Sequence, residues 1–249
     1  MLVHFGVKVR EDNFLNRDNY AKINKKSSFK MMMPSVEYEN VENRIYSDKW
    51  CEEYQQRCLK NFDINMVRFN QLDYTKFQNE ISSFLFKHKN FVEIFDINDV
   101  LNVSGYYIMV LDKYKQLYIG TATDIGKRIK QHWSKRKQFD RLLFPMNNIE
   151  KSKFSIDSFG AFDTTRIFVS KSSTLYDLEN EYIQSFSREF ILNRVPGGRL
   201  SSLSVLPSPI YKKKTASNSN DICILIVILS VVVLLVMLEI LWLHSIVNT

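Results

Sequence analysis

Cysteine is scarce: only Cys51, Cys58 and Cys223 occur in the 249 residues. Three thiols in such different surroundings exclude a disulfide framework, and no Cys-x-x-Cys is present to start a zinc site. The chain reads as one kept in a reducing compartment. The four histidines (His4, His88, His132, His244) are scattered, so no His-rich metal cluster is expected. No apolar core of a secretory signal follows Met1. Glycine is also rare, yet six of the seven glycines lie between Gly105 and Gly198. Glycine concentrated in this way points to backbone positions that need conformational freedom or a close approach.

Charge is equally uneven. The net charge is +7, but residues 1–100 are neutral overall while residues 101–200 carry a surplus of basic side chains. A basic field suits a phosphate-rich partner, because neutralising phosphates releases counterions. It also occurs on domains with no such partner.

Five regions follow from the patterning. Residues 1–34 are polar, Asn/Lys-rich and without period, and are expected to be disordered. Residues 35–102 are expected to be mainly helical, with Val41, Ile45, Tyr46, Trp50, Tyr54 and Cys58 at near-helical spacing, then Phe77, Ile81, Phe84 and Leu85. Residues 103–200 read as an α+β domain. Residues 105–111 form a buried strand, 112–115 a turn, and 116–121 a second strand, together an antiparallel hairpin. Asp124 offers an N-cap for a helix running to about Trp133, with Ile125, Ile129 and Trp133 on one face. Residues 162–170 read as a third strand and 174–186 as a second helix. The expected fold is a small three-stranded antiparallel sheet flanked by helices. Residues 201–221, rich in Ser, Pro and Lys, read as a linker.

Residues 222–247 are almost entirely apolar, and no charge interrupts 222–238. At about 1.5 Å per residue, 22 residues span roughly 33 Å, enough for a bilayer core of about 30 Å. A single transmembrane helix is therefore expected. Lys212-Lys213-Lys214 precede it and no such cluster follows, which places the bulk of the chain on the cytoplasmic side as a tail-anchored membrane protein.

Within residues 103–200, Gly105-Tyr106-Tyr107 is followed by Tyr118-Ile119-Gly120. Arg128 and His132 lie one helical turn apart, and Glu179 and Asn193 come later. These residues, in this order and on these elements, resemble the GIY-YIG endonuclease family. Tyr106 stands where the family has Ile, a conservative exchange in a strand. The resemblance implies a metal-dependent endonuclease acting on DNA, with Tyr107, Tyr118, Arg128, His132, Glu179 and Asn193 as catalytic residues. It implies that Glu179 binds Mg2+ or Mn2+. Glu181 is a rival, two positions on and on another helix face.

The residue chemistry is consistent with that. Hydrolysis of a phosphodiester requires an activated water, stabilisation of charge on the phosphoryl oxygens and help for the leaving oxygen. Arg128 offers a fork of donors for the charge. A tyrosine acting as base needs its pKa, near 10 in water, lowered by neighbouring positive charge. The resemblance leaves open which tyrosine that is. We favour Tyr118, with Tyr107 orienting water and phosphate, His132 holding base or phosphate, and Asn193 fixing local geometry. Lys127, Lys130, Lys135, Arg136, Lys137 and Arg141 form a basic cluster beside this helix, either a nucleic-acid-binding surface or a solvated charged face. The alternative function is a catalytically silent, membrane-tethered module that binds nucleic acid or protein with the same fold.

Overall fold

Residues 105–111 read as one unbroken apolar run because the strand they form is covered on both sides. The computed structural model describes residues 1–27, 36–134, 153–175 and 177–193. In chain order, β1 (Leu2–His4) and β2 (Val7–Val9) make a hairpin, followed by the short helix α1 (Arg17–Tyr20). A second small hairpin, β3 (Tyr38–Asn40) and β4 (Ile45–Tyr46), leads into two helices, α2 (Asp48–Gln71) and α3 (Tyr74–Lys87). Then come β5 (Val92–Ile94), β6 (Gly105–Leu111), β7 (Gln116–Ala122), α4 (Ile125–Ser134), β8 (Arg166–Lys171) and α5 (Glu179–Gln184).

The main sheet has four strands in the order β5-β8-β6-β7, antiparallel throughout. The three expected strands are there, and β5 is the addition. It pairs with β8 from Val92 opposite Val169 to Ile94 opposite Ile167. Three residues are too few to give a periodic signal, and Val92 is exposed, which hides the strand further. β8 begins at Arg166 rather than at residue 162, because Ala161–Asp163 turn as a 3-10 helix around the buried Asp163 carboxylate. That carboxylate accepts from the Leu15 and Gly160 amides and from the Tyr114 hydroxyl. The second helix is shorter than 174–186, with α5 starting only after Leu178.

Every residue of β6 is buried. On one face Tyr107, Met109 and Leu111 join Ile167 and Val169 in a core that also takes side chains from α2, α4 and the N-terminal segment. On the other face Tyr106, Ile108 and Val110 meet Leu117, Ile119 and Phe168, with Phe77, Ile81 and Phe84 of α3 and Tyr182 of α5. Each such side chain contributes about 1.5–3 kcal/mol on burial. The helices of residues 35–102 are thus part of the sheet's own packing. Their starts are set locally: Ser47 caps α2 through the Trp50 amide, and Asp73 caps α3 through the Lys76 amide.

The expectation of disorder over residues 1–34 is corrected for 1–27; residues 28–34 lie outside the described residues. Val9, Leu15, Tyr20 and Ala21 are buried. The Tyr20 ring stacks on Phe154 at 4.5 Å, and its hydroxyl donates to Asn61 at 2.5 Å. The segment has no period of its own because its partners are remote in sequence. The described residues all belong to one compact unit. The expected linker and transmembrane helix lie outside the described residues. Among the described residues no helix is long and apolar enough to cross a membrane.

Candidate active site

The β6–β7 register sets the site. Tyr107 lies opposite Gly120 and Met109 opposite Tyr118, so the two tyrosines project from one face as a diagonal pair, ring centroids 6.2 Å apart. Tyr106 and Ile119 point to the opposite core. The Tyr107 phenol lies over Gly120 so closely that a Cβ there would come within 2.4 Å of its oxygen. Glycine at this position is a requirement of close approach.

Helix α4 completes the face. Asp124 caps it, its carboxylate accepting from the Lys127 amide at 2.8 Å. Ile125, Ile129 and Trp133 turn inward as expected. His132 is buried at 2% exposure, with Nε2 2.9 Å from the Tyr107 hydroxyl and its ring edge-on to Tyr118 at 5.2 Å. Its other nitrogen, Nδ1, lies 2.6 Å from Oδ1 of Asp157, itself buried in the turn Ile156–Ser158. Sequence reasoning missed Asp157. It sits in a polar stretch with no helical or strand period, and its one signal is an acid placed among Phe154, Ile156 and Phe159.

Arg128, one turn before His132, is exposed, and its guanidinium contacts Gln131 at 3.4 Å. Its charge acts on both tyrosine hydroxyls and on Glu179 of α5. Glu179 is half-buried, whereas Glu181 is exposed and its charge acts on His88 and Tyr182 instead. Of the two carboxylates, Glu179 is the one turned toward the tyrosines. Asn193 stands apart from them. Its Oδ1 accepts from the Ile119 amide at 3.0 Å and its Nδ2 donates to the Ile119 carbonyl at 2.7 Å. Behind it, the Leu117 amide bonds Phe190 and the Leu192 amide bonds the Leu117 carbonyl. One side chain therefore finishes the pairing along the outer edge of β7 and holds the Tyr118-Ile119-Gly120 segment in line.

Residues 103–193 match the family model of the GIY-YIG catalytic domain. No curated protein and no solved structure matches the chain. The match points to a nuclease and implies nucleic-acid binding.

The electrostatics of this site correct one expectation. Neither tyrosine is made more acidic. Burial pushes Tyr118 up to about 12, and Arg128 offsets only part of this while Glu179 and Asp157 add to it. Burial pushes Tyr107 well above its ordinary value, again outweighing Arg128. A guanidinium that reaches solvent is too well screened to cancel the loss of water around a buried phenol. Glu179 is also raised, first by burial, with Arg128 pulling it back. The hydrogen bond of His132 Nε2 goes to the Tyr107 hydroxyl.

Among the described residues no group of three or more His, Cys, Asp or Glu side chains is placed to hold a metal. Glu179 is a single oxygen donor. One carboxylate suits a hard cation such as Mg2+, which keeps several waters and takes further oxygens from substrate phosphates. It does not suit a closed zinc site. Of the basic cluster, Lys127 is exposed and Lys130 bonds the Asn98 side chain at 3.1 Å. Lys135, Arg136, Lys137 and Arg141 lie outside the described residues.

Proposed function

We propose that the protein is a divalent-metal-dependent endonuclease that hydrolyses DNA phosphodiester bonds, with Glu179 holding Mg2+ or Mn2+. We further propose that residues 222–247 tether it to a membrane with the catalytic domain on the cytoplasmic side. The observation that carries the nuclease reading is the convergence of one cation, Arg128, and one half-buried carboxylate, Glu179, on the paired hydroxyls of Tyr107 and Tyr118. Arg128 reaches solvent and is free to face a phosphate, where its donors stabilise the added negative charge of the transition state. Tyr118 is half-buried where Tyr107 is fully buried, so its hydroxyl is the better placed to orient water or a phosphoryl oxygen. A cation bound at Glu179 supplies Lewis acidity to the phosphate and its leaving oxygen. Lys127 extends positive charge along the exposed side of α4 for the nucleic-acid backbone.

The full chain, purified in detergent, is expected to nick plasmid DNA with Mg2+ and to lose that activity with Glu179→Ala. Cleavage that persists in chelator, or in the variant, contradicts the metal role. The second reading, a catalytically silent binding module, draws on the raised pKa of both phenols. Salt-sensitive DNA binding without cleavage of duplex, single-stranded or branched DNA favours it.

A further inference from the structure

Tyr106 and Tyr107 are neighbours on β6 and point to opposite faces of the sheet. Tyr107 faces Tyr118, whereas Tyr106 is buried, at 1% exposure, in the core that also takes side chains from α3 and α5. A buried phenol needs a partner for its hydroxyl. The partner comes from outside the sheet: the Tyr106 oxygen accepts from the amide of Leu178 at 3.3 Å, and Leu178 directly precedes Glu179. The Tyr106 ring meets the same helix again, edge-on to Tyr182 with centroids 5.2 Å apart. Leu178 and Tyr182 are one turn apart, the Tyr182 amide bonding the Leu178 carbonyl at 2.9 Å. Tyr106 therefore touches α5 on either side of Glu179. The helix needs such ties. Its six residues are well short of the roughly 12–15 at which an isolated helix becomes marginally stable. Leu178 stands at its N-cap and has no side-chain acceptor to offer. The far end is tied to α3, where Glu80 accepts from the Ser187 amide at 2.8 Å and the Ser187 hydroxyl at 2.5 Å.

We propose, on the nuclease reading, that Tyr106 is a positioning residue whose hydroxyl fixes the start of α5 and with it the place of the Glu179 carboxylate relative to Tyr107 and Tyr118. Tyr106 and Tyr107 share one peptide bond, so a single strand sets both parts of the site. It presents the Tyr107 phenol on one face and anchors the helix of the carboxylate on the other. A phenylalanine at 106 fills the same space and keeps the contact with Tyr182, but it leaves the Leu178 amide without its acceptor. An isoleucine has neither the hydroxyl nor the ring edge. A cation held by one carboxylate and several waters depends on where that carboxylate stands. Groups that orient a metal ligand are worth about 10–100-fold in metal affinity or activity.

The test is Tyr106→Phe in the full chain in detergent, read in two ways. Without metal or DNA, hydrogen exchange followed by mass spectrometry reports on α5. Exchange over residues 178–184 is expected to be about 3–10-fold faster in the variant, the worth of one hydrogen bond, with β6 unchanged. With Mg2+ and plasmid DNA, the Mg2+ concentration giving half the maximal nicking rate is expected to rise about 10-fold. The rate at saturating Mg2+ stays within a few-fold of the parent's. Asp112→Asn, at the other end of β6, is the control for lost stability alone and keeps the parent's Mg2+ midpoint. Leu178→Pro removes the donor from the other side of the bond. Leu178 is 39% exposed, so this variant spares the core and answers for a phenylalanine variant that fails to fold. It is expected to move the midpoint the same way. Unchanged exchange in α5 overturns the proposal. So does faster exchange with an unchanged midpoint, which marks a bond of structural value only, or a midpoint that Asp112→Asn moves equally. A parent chain that cuts no DNA with Mg2+ overturns the nuclease reading itself.

Discussion

The phenol of Tyr107 lies across Gly120 on the adjacent strand, so close that an added Cβ would sit 2.4 Å from the phenol oxygen. The ring has no room to retreat, because Tyr107 is fully buried and its hydroxyl is tied to His132. Gly120→Ala is therefore expected to act on geometry more than on folding. Overpacking of this kind costs about 1–3 kcal/mol, and a displaced catalytic hydroxyl costs about 10²-fold in rate. Nicking kinetics measured beside a urea unfolding curve separate the two. An alanine variant with unchanged rate means that Tyr107 is not positioned by this contact.

The two carboxylates of α5 are expected to behave differently. Glu179→Gln loses Mg2+-dependent nicking, whereas Glu181→Gln stays within a few-fold of the parent, about 1 kcal/mol or less in barrier height. Equal losses in both variants would point to damage to the helix rather than to removal of a ligand.

The N-terminal segment is expected to be indispensable. Its Tyr20 is buried against Phe154 and bonded to Asn61, and Tyr20→Ala is expected to cost about 3–5 kcal/mol, as for other large aromatic truncations. A chain that begins at residue 36 is expected to be unfolded by near-ultraviolet circular dichroism. A cooperative unfolding transition in that truncation would show the segment to be peripheral.

Acid sensitivity has an identifiable contributor in Asp112. Burial raises its pKa, but bonds from Arg166, Thr165 and Gln78 outweigh this and leave it lowered. A carboxyl lowered by folding stabilises the protein above its unfolded pKa of about 4, and that stability is lost as pH falls through the lower folded value. Asp112→Asn is expected to weaken the protein at neutral pH and to flatten the loss below about pH 4. Thermal unfolding as a function of pH measures both. A slope identical to the parent's removes Asp112 from the account.

The tether is open to direct extraction. The full chain is expected to stay with membranes in alkaline carbonate, and a chain ending at residue 221 is expected in the supernatant. Release of the full chain by carbonate rules out a spanning helix.

The hairpin and helix α4 were legible in the sequence because each rests on a short-range rule, whereas Tyr107, Tyr118, Arg128, His132 and Glu179 were singled out together by the resemblance to the GIY-YIG family. The strands show as unbroken apolar runs, Asp124 as a cap, and Arg128 and His132 as neighbours one turn apart. What escaped is what depends on distance along the chain. Asp157 meets His132 across 25 residues, and Leu15 meets Asp163 across 148. No local period announces either contact. The direction of the tyrosine pKa values escaped for a related reason. Sequence shows that Arg128 is near, but how much water is removed around Tyr107 and Tyr118 depends on the two cores that enclose the sheet.

The link from the Leu15 amide to the Asp163 carboxylate also sets a timetable. During synthesis the first residues leave the ribosome without the acceptor that will hold them. At about 5–20 residues per second, the 148 residues between donor and acceptor take roughly 7–30 s to make. Over that interval the N-terminal hairpin must wait, exposed to proteases and chaperones. Tyr107 and Tyr118 are made well before Asn193 arrives to close the edge of β7. The pair of tyrosines thus acquires its full setting only once the domain is nearly complete.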